Sequence, residues 1–217
     1  MEVGRENNVV PVPSRREALA GLFLVQLVLG YEWFASGLSK LIRGDFPGGL
    51  ADELRDKSEG AAGWYRSFLD GAVIPHSHAF GYVIEISELV TGVGLMGAAF
   101  AWLLARGRLQ GRSGAAVLLT TAAAALAAIV MAVNFHLANG GAQPWGLPGE
   151  SFEEAVDLDS LIVALHLVLF GVSARLLLAL ASDRRRQPRA AGAQSPGEVA
   201  EIEIEPNVGR AHVPEGR

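Results

Sequence analysis

The chain contains no cysteine among its 217 residues. That excludes disulfides, thiol catalysis, thiolate-held iron–sulfur clusters and covalently attached c-type haem. Any redox chemistry must therefore use a bound cofactor or a diffusing lipid-soluble carrier. Charge is scarce as well, at 19% of residues where soluble domains carry about a quarter. The basic residues flank apolar runs and form no stripe with interleaved aromatics, so nothing points to nucleic acid. No internal repeat of the kind that builds inverted-repeat transporters is visible.

What the chain does have is apolar length. Half of its residues are hydrophobic. Four stretches, near residues 18–42, 79–105, 114–138 and 158–181, reach the roughly 20 helical residues that cross about 30 Å of hydrocarbon. A segment in lipid must satisfy its backbone internally, so these are helices. The first run continues from Ala18 through Tyr31, Trp33 and Phe34 to Leu41, which is long for a cleaved signal sequence. The sequence therefore predicts an all-α fold, a four-helix transmembrane bundle.

Arginine placement gives an expected orientation. Arg15 and Arg16 precede the first span, Arg106, Arg108 and Arg112 fill the second loop, and Arg184, Arg185, Arg186 and Arg189 follow the fourth. The third loop, 139–157, has no Lys or Arg but carries Glu150, Glu153, Glu154 and Asp157. The positive-inside rule then gives N-in/C-in: a multi-pass protein of the cell membrane with both termini cytoplasmic.

The organisation reads as a cytoplasmic segment 1–17, a membrane domain 18–182, and a disordered cytoplasmic tail 183–217. The long outer loop, 43–78, mixes Leu50, Leu54, Trp64, Tyr65, Phe68 and Leu69 with charges. That pattern suggests short interfacial helices with Trp and Tyr at headgroup level. Gly92, Gly94, Gly97 and the alanine run 122–125 offer close helix approach.

Ionisable groups within a membrane are expensive and mark function by default. At 1.5 Å per residue, Glu32, Glu85, Glu88, Asn134, His136, Asp159 and His166 all fall in the outer half of their spans. Glu85 and Glu88 share a face at i and i+3. A polar cavity opening outward is the expectation, with Glu32, Glu85, Glu88 and His166 as proton-relay or catalytic residues. Lys40, Asn134, His136 and Asp159 would bind substrate. Each has a structural reading too. Glu85 and Glu88 would stitch helices through Lys40 or a histidine, Lys40 would snorkel outward, His136 would cap a loop, and Asp159 would be the first-turn acid of the last helix.

Carboxylates and an imidazole in that layer suit the polar head of an amphiphile such as a quinone, which needs hydrogen-bond donors and a proton route. Tyr31, Trp33, Phe34 and Tyr82 would line its ring, unless they are core packing. A b-type haem between His136 and His166 is disfavoured by their depths, which differ by about 7 Å. A carboxylate–histidine metal site is chemically reasonable but carries no specific signature, so none is expected.

At these positions the sequence resembles the DoxX/DoxD-like membrane family. The resemblance rests on Gly37-Leu38-Ser39-Lys40-Leu41 with Gly30 and Glu32 before it, on Glu85, Glu88 and Gly92, and on the His136 and Asp159 region; it spans about residues 18–182. It implies a four-helix membrane protein similar to the small subunit of thiosulfate:quinone oxidoreductase, or one that associates with a membrane redox complex. For an anionic sulfur substrate, Lys40 and Arg43 would be the available positive charges, among several acids.

The sequence thus points to a membrane subunit of a quinone-linked oxidoreductase, in the lipid bilayer with a partner redox subunit or as a homo-oligomer. A non-enzymatic anchor or assembly component, or a small transporter, are the rival expectations.

Overall fold

The computed structural model describes residues 14–105, 108, 111–139 and 158–193. The third loop beyond Asn139, with its acids, and residues 106, 107, 109 and 110 of the second, Arg106 among them, lie outside the described residues. Contacts divide the chain into two units at Ser182. The bundle is in the first; of the second, the helical backbone is described as far as Ala193.

Four long helices dominate: α1 (Arg15–Arg43), α4 (Ser77–Leu104), α5 (Gly111–Ala138) and α6 (Leu158–Ala193). Each is long and apolar enough to cross a membrane. Two short helices, α2 (Phe46–Lys57) and α3 (Gly63–Phe68), lie between α1 and α4. α1 starts on a capping box in which the Ser14 hydroxyl accepts from the Glu17 N–H and the Glu17 carboxylate accepts from the Ser14 N–H. It ends at Gly44, whose φ of 70° supplies the left-handed stop. Pro47 in the first turn of α2 fits a position that needs no N–H donor. Between α3 and α4 the chain passes through a wide turn, Leu69–Val73, and a tight one, Ile74–His76, that contains Pro75.

The surface and interior are sorted as in a protein bathed in lipid. Leu24, Val28, Val83, Val90, Leu119 and Val168 stand exposed, while Gln26, Glu85, Glu88, Thr91, Thr121 and His166 are buried. In water that arrangement would be unfavourable; in hydrocarbon the exposed apolar belt costs nothing. The chain is therefore an all-α protein with four helices fit to span a membrane.

Small residues join α1 to α4. A Cβ at Gly92 would collide with the backbone of Phe34, and one at Gly37 would lie 2.9 Å from the Leu89 nitrogen. At Gly30 it would lie 2.9 Å from the Met96 nitrogen. Gly94 makes only ordinary contact with Ala124 and Thr120, and Gly97 has nothing within 4 Å. The close-approach face of α4 is thus Gly92, and the expected role of Gly97 is corrected: it lies off the seam. α6 stands further off, joined by larger side chains, with Val163 packed among Trp33, Leu95 and Ala128, and Leu169 against Leu29 and Ala125. Away from α2, the Gln26 amide ties three helices, donating to the Leu95 carbonyl at 2.8 Å and to Thr121 Oγ1 at 3.1 Å.

Candidate functional site

α1, α4 and α5 bring their polar residues to the end where α2 and α3 sit. Gly37, flat against Leu89, lets Lys40 reach across to α4 one turn later. Its Nζ lies 2.5 Å and 2.6 Å from the two oxygens of Glu88, and 2.9 Å from Ser36 Oγ. Glu88 is fully buried, whereas the Lys40 side chain keeps 23% exposure. The Phe46 ring lies 5.0 Å from Nζ and the Phe135 ring 5.9 Å, close enough for cation–π attraction.

Lys40 lies on the wall of a cavity of about 640 Å³ between α1, α2, α3, α4 and α5. Apolar side chains make most of the wall, including Leu50, Leu69, Val83 and Met131, with the rings of Phe46, Tyr65, Phe68, Phe80 and Phe135. Its polar part also includes Glu53 and Lys57 of α2, Ser87 of α4, Asn134 of α5 and, from the start of α6, Asp159. The Tyr65 hydroxyl is 3.1 Å from Asn134 Oδ1 and 3.2 Å from the Asn134 carbonyl oxygen, a bifurcated donation that fastens α3 to α5. Asn134 Nδ2 in turn donates to the Val130 carbonyl at 2.7 Å. Tyr65, Leu69, Val73 and Ala138 form the apolar cluster beneath this contact.

Of the residues singled out from the sequence, Lys40, Asn134 and Asp159 meet in this cavity, and Glu88 stands directly behind Lys40. Glu85 is buried on the same face of α4, and its Oε1 has no hydrogen-bond partner among the described residues. His136 is partly buried in the last turn of α5 and is not part of the wall. Glu32 lies on the exposed face of α1, apart from the others, because Trp33 and not Glu32 turns inward.

His166 is fully buried, and both ring nitrogens are occupied. Nδ1 lies 2.7 Å from the Ile162 carbonyl, and Nε2 lies 3.3 Å from Trp33 Nε1. An indole N–H can only donate, so Nε2 accepts and Nδ1 carries the hydrogen. His166 therefore joins α6 to α1 and does not touch the cavity; the Trp33 ring it holds lies 6.3 Å from that of Phe135.

The aromatic lining also differs from the sequence expectation. Tyr31 and Tyr82 face outward, at 62% and 49% exposure, and Trp33 belongs to the core. The cavity takes its rings from α2, α3, the start of α4 and the end of α5 instead. The signal was the spacing of Leu50, Leu54, Tyr65, Phe68 and Leu69 in the long loop. It marks an amphipathic face, and such a face can cover a groove as well as a membrane surface. Among the described residues, no three His, Asp or Glu side chains are grouped to hold a metal ion.

Protein-family models, curated proteins and solved structures were each compared with the chain, and none of them matches.

Proposed function

We propose that the chain is the membrane subunit of a quinone-linked oxidoreductase, and that the cavity beside Lys40 holds the quinone head group. The carrying observation is the cavity itself: about 640 Å³, within the roughly 300–1,000 Å³ typical of ligand sites, with aromatic walls and a few convergent polar groups. A flat ring with two carbonyl oxygens suits that lining. Lys40 Nζ would supply a charge-assisted donor for one carbonyl by turning the hydrogen it gives to Ser36 Oγ. On the α5 side Asn134 Nδ2, which gives one hydrogen to the Val130 carbonyl, has a second to offer, and Tyr65 holds that amide in place.

Reduction to the quinol takes up two electrons and two protons. In this reading Lys40 would pass a proton to the oxygen it binds, and Glu88, bonded to Nζ, would first take up a proton from outside the pair and then hand it to the neutral amine. Glu85, one turn along the same face with an unpartnered oxygen, is the next carboxylate in line. His166 acts at one remove by holding Trp33. A chain without cysteine offers no thiolate for an iron–sulfur cluster, and in this reading the electron donor belongs to a partner redox subunit. The resemblance around Lys40 and Glu88 to DoxX/DoxD-like proteins supports the same reading. Arginine placement supports cytoplasmic termini in the cell membrane, which sets the cavity at the outer face.

Purification from native membranes with partners retained, followed by lipid mass spectrometry and a visible absorption spectrum, tests the proposal. A quinone that co-purifies with the wild-type chain, and is depleted in Phe135→Trp, which crowds the cavity beside Lys40, is the expected result. Stable partners without any quinone would favour the anchor reading instead.

A further inference from the structure

The wall of the cavity carries Lys40, Lys57, Glu53 and Asp159. Lys57 is already paired with Glu53 at 2.7 Å. Lys40 is thus the cation with its head among aromatic rings, away from the Glu53–Lys57 pair. A lone ammonium in such an apolar place would be an anion site, and a bilayer offers anionic headgroups and fatty acids in abundance. Glu88 alters that. It is fully buried, cannot be rinsed by solvent, and places both oxygens on Nζ.

We infer that Glu88 is the specificity-determining residue of the cavity: by matching Lys40 it excludes anionic amphiphiles and leaves the site to uncharged, hydrogen-bond-accepting head groups. This rests on the cavity reading above. An arriving anion finds the lysine charge already balanced and must approach the carboxylates of Glu88 and Asp159, a like-charge juxtaposition that works against it. An uncharged acceptor needs only an N–H direction. Lys40 would supply it by turning the hydrogen given to Ser36 Oγ at 2.9 Å, while Glu88 and the rings of Phe46 and Phe135 keep the ammonium in place.

The test uses the full chain in nanodiscs of uncharged phosphatidylcholine, with empty discs as the background. Decylubiquinone serves as the neutral probe and decanesulfonate as a permanently anionic probe of equal tail length. Wild type should prefer the neutral probe by about tenfold or more, and Glu88→Gln should raise sulfonate affinity by about tenfold. Equal affinity of wild type for the two probes would overturn the inference, as would a folded Glu88→Gln protein with no gain for the sulfonate. If that variant does not fold, the wild-type ratio decides alone. Failure of both probes to bind wild type would overturn the cavity reading and this inference together; binding without selectivity would overturn the inference only.

Discussion

Lys40→Met should unfold the bundle far more easily than wild type. Glu88 is fully buried and has both oxygens on Nζ, so removing the ammonium leaves a carboxylate in hydrocarbon-like surroundings without its partner. Breaking a buried pair from one side costs about 3–5 kcal/mol. For a chain of this size that corresponds to a fall in Tm of roughly 10 °C, measurable by thermal unfolding in detergent. The double variant Lys40→Met/Glu88→Met should regain most of the loss, because two apolar groups replace a pair that was costly to desolvate. A small effect of Lys40→Met, with no recovery in the double variant, would mean that the two side chains are not coupled. Stability and function part company here: the double variant should be stable yet lack the donor for a ligand carbonyl.

The second large effect belongs to Gly92→Ala. Its new methyl group would meet the backbone of Phe34, which cannot swing aside as the end of a side chain could. Overpacking costs about 1–3 kcal/mol and occasionally more, and a backbone collision places this case at the upper end. The damage should also travel. Glu88 lies one turn from Gly92, and Lys40 one turn from Gly37, so separating α1 from α4 loosens the ion pair between them. Gly97→Ala is the control. Nothing lies within 4 Å of it, and relief of glycine's backbone entropy should stabilise the helix by about 0.5–1 kcal/mol. Thermal unfolding of the two variants should therefore move in opposite directions; parallel losses would contradict the seam drawn here.

These contrasts show what the sequence could and could not reveal. Helix existence was plain, because length and hydropathy decide it. The layer of polar residues was plain too, since depth follows from residue count; Lys40, Asn134 and Asp159 do meet in one cavity. Rotation about the helix axis was hidden. α1 is apolar on nearly every side, so the position of Glu32 did not reveal which way it pointed. The inward face is set by Gly30, Trp33, Gly37 and Lys40, spaced three or four apart, and Glu32 falls beside that row. Small residues, which permit contact, carried the phase better than the acid did. His166 had the right depth, but its partners on α1 and α6 could not be read from spacing. Three of the lining aromatics, Phe46, Tyr65 and Phe68, came from the loop for a similar reason: burial against α4 and α5 is a tertiary fact that local amphipathicity does not encode.

On the proposed function the ligand head sits in the cavity formed by α2, α3 and the neighbouring parts of α1, α4, α5 and α6. A second, apolar hollow of about 350 Å³ lies between α4 and α5, lined by Val90, Gly94, Leu119 and Ala123, and offers a natural contrast. Photolabelling with an azido-quinone, followed by peptide mapping, distinguishes the two. Adducts are expected on the peptides holding Phe46, Leu50, Tyr65, Phe68 and Phe135, competed away by unlabelled quinone. Adducts confined to Val90, Leu119 and Ala123 or to the lipid-facing belt, unaffected by competition, would contradict it.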